Sequence, residues 1–574
     1  MVSGMRVLSW SAVLLSAVAA STASAATKCE NLATLELPDV TSITAKSFPG
    51  GTFQPPDPTG FVPTPQLPHA SPPIPNLPAF CQVSIVVEPA INIEIWLPLP
   101  SAWTNRFQGV GGGGYAGTIT WTGLATAVEG GYATASTDTG HSAFAPSNGL
   151  GGGGFALNQP ADTLNVGLIA DFAERSELEL ARKGKALTRA FYGTGPRFSY
   201  WTGCSTGGRQ GWIMAQRHPE EYDGYLTGAP AFNWDRFIPA ELWGQVVMKD
   251  EVGAPISPAK LNAVTNAAVA ACAAKSGDGT LSTDAFLADP RLCTFNPAQM
   301  SCSAQPSNPN CLTSQEVGAV SKIWDGPRDA HGRRLWFGLD RGANLAALNG
   351  SFPFPIATDH FAYWLRQNPS FDWHTVTESS FSKDFFNSES RFEEVIGTDS
   401  TGLDELIEHK AKNITYHGTA DQLIFSRGTI NYFERLRKTY GAQNVDKFAR
   451  LFMAPGMGHC IGGAGANSFG NVFAGPPVSS DPQYDIFKAL VDWVEFGTPP
   501  EQIIATKFVN DNPASGVAFT RPLCVFPKRA AYKGAGNPSD AGNWTCVKGI
   551  ENDTTEDADA VLTDRGNRDT DDRD

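Results

Sequence analysis

The chain has 574 residues, 41% hydrophobic and 18% charged, a balance that supports a globular core and leaves room for several domains or one large enzyme core with an insertion. A formal net charge of −15 argues against nucleic acid and anionic membrane as partners, because an acidic field attracts neither. About half of that charge lies in residues 551–574, where ten acidic side chains stand against three arginines; such a composition predicts a disordered acidic tail.

Residues 1–25 carry one arginine, an apolar run over 7–20 and Ala23-Ser24-Ala25, the pattern of a secretory signal peptide. No later run is apolar for the ~18 residues a spanning helix needs, so an exported protein, extracellular or periplasmic, is expected. Ten cysteines follow residue 25, and an even number in an oxidising compartment predicts five disulfides whose pairing order alone leaves open. None has the C-x-x-C spacing of a zinc site.

Between residues 55 and 78 ten of 24 positions are proline, which predicts an extended arm wrapped over the surface and tied by Cys29 and Cys81. Residues 91–97 alternate apolar and polar side chains as a strand does. A second strand, 106–110, runs into Gly111-Gly-Gly-Gly-Tyr115. That glycine run lacks the Lys-Ser/Thr of a P-loop and the spacing of a dinucleotide fingerprint. Glycine there suits an oxyanion-hole loop instead, since backbone N–H groups can then approach a substrate oxygen. A third strand, 131–137, leads to Asp138-Thr-Gly-His141, which reads as a turn rather than a metal site or dyad. Residues 161–191 are helical in character, with Leu180, Leu187 and Phe191 on one stripe.

The next stretch is Tyr200-Trp-Thr-Gly-Cys-Ser-Thr-Gly-Gly208, flanked by a β-prone run at 198–202 and a helical run ending at Arg217. Strand, sharp turn and helix around G-x-S-x-G predict a nucleophile elbow with Ser205 at its apex. Cys204, one residue away, is the competing nucleophile, but its side chain should point away from substrate. After a short strand at 225–227 the rhythm changes. Residues 231–405 are rich in helices and aromatics and predict an inserted lid domain. The sheet resumes at 414–416, and Asp421 follows it. A helix over 426–438 and a strand over 448–453 lead to Gly458-His459-Cys460, and an amphipathic helix follows at 486–494. The expected organisation is an α/β-hydrolase fold, with residues 26–230 and 406–550 as one discontinuous catalytic domain and 231–405 as the lid.

Ser205, Asp421 and His459 occur in the order nucleophile, acid, base, each just past a strand end. Histidine can take the serine proton and return it to a leaving alcohol, while aspartate fixes the imidazole and stabilises its cation. The amides of Thr206 and of Gly113 or Gly114 are the candidate oxyanion donors. Because Cys204 and Cys460 each adjoin a member of this set, a disulfide between them would join elbow to histidine loop.

On these segments, with Asp138-Thr-Gly-His141, Ala215-Gln-Arg-His-Pro219, Gly228-Ala-Pro230 and Tyr416-His-Gly-Thr-Ala-Asp421, the chain resembles the tannase and feruloyl esterase family of secreted serine esterases. The resemblance implies a Ser205–Asp421–His459 triad, a lid, and pairing of Cys204 with Cys460, Cys29 with Cys81, Cys272 with Cys293, Cys302 with Cys311 and Cys524 with Cys546. It also implies aromatic acyl esters, feruloyl or galloyl, free or linked to polysaccharide, as substrates, with no cofactor required for catalysis. Family members commonly hold a structural calcium in the lid, in a loop rich in aspartate. Here Ala273, Ala274, Lys275 and Ser276 precede Asp278, Asp284 and Asp289, a departure that leaves the metal open. Three rival expectations are an esterase of the same family acting on other phenolic or terephthalate monoesters, a catalytically silent binding protein on the same scaffold, and a serine peptidase.

Overall fold

Runs with side chains alternating between two buried faces recur along the chain and hydrogen-bond into a nine-stranded sheet. The computed structural model describes residues 27–56, 72–158, 163–275, 285–474 and 477–550. The strands are β1 (Val40–Phe48), β2 (Phe80–Val87), β3 (Ile91–Pro98), β4 (Arg106–Val110), β5 (Ala133–Thr137), β6 (Phe198–Cys204), β7 (Gly224–Gly228), β8 (Lys412–Gly418) and β9 (Ala449–Ala454). Their order is β1-β2-β3-β5-β4-β6-β7-β8-β9. From β5 to β9 neighbours run parallel, whereas β1, β2 and β3 pair antiparallel and β3 meets β5 antiparallel. This is the α/β-hydrolase fold, and the strand ends that carry Ser205, Asp421 and His459 lie along its parallel half.

Alternation sorts the core into two layers. Trp201, Tyr225 and Leu451 face one side, where α2 (Ser176–Tyr192), α3 (Thr206–Arg217) and α4 (Ser426–Tyr440) bury Leu180, Leu187, Trp212, Ile213, Ile430 and Leu436. Their neighbours Tyr200, Leu226 and Phe452 face the other, against Ile486, Leu490 and Trp493 of α5 (Ile486–Phe496). A smaller cluster joins Phe80 and Trp96 to Leu124 and Val128 of α1 (Trp121–Glu129). Helices on both faces are what a parallel sheet needs to bury its apolar strands.

Between β7 and β8 the chain contributes helices and loops but no strand to the sheet. Trp234, Trp243, Trp324, Trp336, Trp364, Phe381 and Phe385 of this segment form a second core. Tyr115, Phe155, Phe172, Ile424 and Phe425 belong to the same cluster, so the helical segment packs on the loops that follow β4, β5 and β8. Its aromatics are largely core, as burial of so many rings favours.

Two regions differ from expectation. The sheet begins earlier, at β1, whose Thr, Ser and Lys residues leave a mostly exposed edge strand with weak apolar alternation. After α5 the chain forms two antiparallel pairs, Gln502–Phe508 with Val517–Cys524 and Lys528–Tyr532 with Trp544–Lys548. The last part of the proline-rich arm, Ile74–Leu77, is extended as expected and pairs with Gly51–Phe53. The signal-peptide region, residues 57–71 of that arm and the acidic tail lie outside the described residues. Among the described residues no helix is long and apolar enough to cross a membrane.

The inner stripe of α5 predicts a large truncation penalty. Leu490 is fully buried, so Leu490→Ala should lower the unfolding free energy by about 3 kcal/mol. Denaturant melts of the two proteins would check this, and a loss under ~1 kcal/mol would show that α5 is not docked as described.

Candidate active site

β6 ends at Cys204 and α3 begins at Thr206, leaving Ser205 between them at φ 64° and ψ −126°. A non-glycine residue in that region stores about 1–3 kcal/mol of strain, which the surroundings must over-determine. They do so through the Ser205 N–H, which donates to Gly228 O at 3.0 Å, and through Ser205 O, which accepts from Ala231 N at 3.2 Å. A Cβ on Gly203 would sit 2.3 Å from Gly207 O, so only glycine lets the helix turn back so closely on the strand. The elbow expected from G-x-S-x-G is therefore present. Ser205 is only partly buried among fully buried neighbours.

Asp421 lies just past the end of β8 and His459 just past β9. Asp421 Oδ1 accepts from the amides of Leu423 and Ile424 at 2.8 and 2.9 Å. Its Oδ2 accepts from His459 Nδ1 at 2.8 Å and from His417 Nε2 at 3.1 Å. Burial alone would push this carboxyl up; the charge of His459 and the bonds from His417 and His459 outweigh it and hold Asp421 well below the usual carboxylate range. An ionised carboxylate only accepts, so the His459 proton sits on Nδ1 and Nε2 is left as the basic nitrogen. The histidine loop is further held by His459 N–H donating to Gln422 Oε1 at 3.2 Å.

The Cys204–Cys460 disulfide spans 256 residues with a Cα–Cα distance of 6.0 Å. It bonds the residue before Ser205 to the residue after His459, and it removes Cys204 as a free nucleophile. The other pairs, Cys29–Cys81, Cys272–Cys293, Cys302–Cys311 and Cys524–Cys546, are those the resemblance implies.

The glycine loop after β4 is clamped to the elbow. Gly111 N–H donates to Thr202 O at 2.9 Å, and Gly112 N–H donates to Gln210 Oε1 at 2.9 Å. Gly207 N–H returns a bond to Gly112 O at 2.8 Å, and Thr206 Oγ1 donates to Gly114 O at 2.5 Å. Among the described residues no partner is assigned to the Gly113 and Gly114 amides. The Thr206 amide is in the first turn of α3, where N–H groups lack intrahelical acceptors. The candidate oxyanion donors therefore stand on adjoining segments.

Asp138 and His141 are structural, as the turn reading expects. Asp138 accepts from Asn92 and Gly140, and His141 Nε2 bonds Tyr115 O at 2.8 Å. Most of the calcium question falls on residues 276–284, outside the described residues; Asp289 is committed to Arg291 at 2.8 Å. Among the described residues no group of three or more His, Cys, Asp or Glu side chains is placed to hold a metal. Sequence reasoning missed two groups. His417 was legible only as part of the Tyr416–Asp421 segment, with no sign of which side chains its ring would meet, and Gln210 only as one polar side chain of α3, because its partners Gly112 and Glu177 are far from it in sequence.

Comparison with known proteins identifies the family. The family model described as tannase and feruloyl esterase matches residues 80–547. The chain belongs to that family. It is 34% identical to an esterase of Xanthomonas campestris pv. campestris over 95% of each chain. It is also 34% identical to a probable feruloyl esterase of Arthroderma benhamiae, over 85% of this chain and 88% of the relative. Among solved structures it superposes on feruloyl esterase B from Aspergillus oryzae with a TM-score of 0.76 and 29% identity, covering 89% of this chain and 98% of that one.

Gln210, which holds the glycine loop of this tannase-family site, donates in turn to the buried Glu177. Burial pushes the Glu177 carboxyl up to about 8, against the opposing charge of Arg209. A carboxyl raised in the folded state above its ordinary 4.5 makes the native protein bind the extra proton, so stability falls as pH rises from about 4.5 towards 8. Glu177→Gln keeps an acceptor for Gln210 and removes the titration. Its melting temperature should gain on wild type between pH 5 and pH 8; a constant difference across that range would contradict a neutral Glu177.

Proposed function

We propose that the protein is an exported carboxylic ester hydrolase of aromatic acyl esters, acting through Ser205, His459 and Asp421. The observation that carries this reading is the Asp421–His459 hydrogen bond of 2.8 Å, on a loop crosslinked to the Ser205 elbow by Cys204–Cys460. Membership of the tannase and feruloyl esterase family supports the ester class and the aromatic acyl group. Five disulfides suit an oxidising compartment.

In this reading Ser205 Oγ attacks the ester carbonyl carbon while its proton passes to His459 Nε2. Negative charge develops on the carbonyl oxygen, where the amides of Thr206 and of Gly113 or Gly114 donate; each such donor lowers the barrier by roughly 3 kcal/mol. The C–O bond to the alcohol then breaks, and the imidazolium returns the proton to the departing oxygen. The acyl-enzyme is hydrolysed by the same steps with water as nucleophile, releasing the acid and restoring Ser205. Asp421 stays ionised throughout. The helical segment between β7 and β8 acts as the lid that receives the aromatic acid, whether its alcohol is a small molecule or a polysaccharide.

Acid release from methyl ferulate and methyl gallate tests this. Wild type should cleave at least one of them, and Ser205→Ala should lower kcat by at least about 10⁴-fold. Retained hydrolysis in the variant would overturn the assignment of the nucleophile. Cleavage of neither ester, with Ser205 still labelled by a fluorophosphonate, would remove the feruloyl and galloyl substrates and keep the esterase site.

A further inference from the structure

Asp421 Oδ2 is shared by two histidines, and only one of them has a role in the steps above. His417, in β8, is fully buried. Its Nε2 lies 3.1 Å from Asp421 Oδ2 and 3.2 Å from Ile424 O, and its Nδ1 lies 2.9 Å from Thr429 Oγ1 in α4. A carboxylate and a carbonyl can only accept, so Nε2 carries a proton shared between them. That leaves Nδ1 to the Thr429 hydroxyl, which can donate to it. The bonds therefore run in one direction, from Thr429 to His417 and from His417 to Asp421, meeting the bond from His459 on the same oxygen.

We propose that His417 is a positioning residue for the acid of the triad, holding Asp421 Oδ2 at the place and angle from which it orients His459, with Thr429 setting the orientation of the His417 ring. The inference rests on the reading of Ser205, His459 and Asp421 as one catalytic unit. The geometry favours this over space-filling. A buried imidazole is costly unless both nitrogens are bonded, and an apolar ring would fill the same volume without that demand. The choice of atom is also informative. The backbone amides of Leu423 and Ile424 already hold Oδ1, so a donor on that side would add nothing to the face turned to His459. His417 supplies the second anchor for Oδ2 itself. Without it the carboxylate can turn about the two amide bonds and carry the His459 ring with it. Charge-assisted hydrogen bonds from fixed donors suit this task, because their direction is as important as their strength.

The test uses the whole protein and three variants, His417→Phe, His417→Gln and Thr429→Val. The readouts are the rate of Ser205 phosphonylation by a fluorophosphonate, which is independent of the preferred acyl group, and kcat and KM for the ester wild type cleaves. Gln places an amide N–H near the position of imidazole Nε2, whereas Phe offers none. With His417→Phe the labelling rate and kcat should fall about 10- to 100-fold with KM within about twofold of wild type. His417→Gln should recover most of that loss. Thr429→Val, which is isosteric, should fall between them. If His417→Phe does not fold, Thr429→Val and His417→Gln still decide the matter: unchanged kcat in the valine variant together with a glutamine variant as slow as Ser205→Ala overturns the proposal. Equal kcat for wild type and a folded His417→Phe also overturns it, and leaves the triad standing. If wild-type Ser205 neither labels nor turns over any ester, the triad reading fails and this proposal falls with it.

Discussion

The Cys204–Cys460 bond is the constraint on which the rest of the site depends. Ser205 and His459 are carried by strands at different places in the sheet and separated by a helical segment of well over a hundred residues between β7 and β8. Proton transfer between such groups needs their positions held to a fraction of an ångström. Sheet hydrogen bonds fix the strands but not the loops beyond them. A covalent bond from the residue before the serine to the residue after the histidine fixes both loops at once. In the chain-entropy account, closing so long a loop also removes several kcal/mol of unfolded-state freedom.

The other parts are built around that crosslink. Strain at Ser205 is tolerated because Gly228 and Ala231 hold its backbone on either side. The glycine loop after β4 is bonded to the elbow by Gln210, Gly207 and Thr206, so the candidate oxyanion donors and the serine move as one body. Asp421 accepts four donors, two at each oxygen, which keeps it ionised in a buried setting. The elbow and the glycine loop thus owe their positions to neighbours from other parts of the chain, while Asp421 owes its ionisation to donors within four residues and to His459. This is preorganisation in the physical sense: the dipoles are aimed before the charge develops.

Much of this was legible in the sequence, and the limits have physical causes. Ser205, Asp421 and His459 could be found because each sits within a few residues of a strand end, a local pattern. Gly113 and Gly114 could be singled out as candidates because a glycine run after a strand has few purposes. The disulfide partners at Cys204 and Cys460 followed from adjacency to the same residues. His417 could not, since nothing local shows that the chain turns to set the Asp421 carboxylate, four residues on, against its ring, or that Thr429 of α4 meets the other nitrogen. Gln210 meets Gly112 and Glu177 across the fold, and no periodicity encodes such a contact. β1 was missed because an exposed edge strand lacks the apolar alternation that marks a buried one. The C-terminal strand pairs were missed in a stretch that follows the last helix and is rich in polar and turn-forming residues.

The account makes the crosslink a condition of reactivity as well as of stability, and one rate separates the two. The measurement is the second-order rate of Ser205 phosphonylation by a fluorophosphonate for wild type and for Cys204→Ala with Cys460→Ala. It should be made at a temperature where circular dichroism shows both proteins folded. The account predicts that the folded double variant reacts at least about tenfold more slowly, because its histidine loop no longer holds register with the elbow. Equal rates in two folded proteins would contradict it, and would assign the disulfide to stability alone.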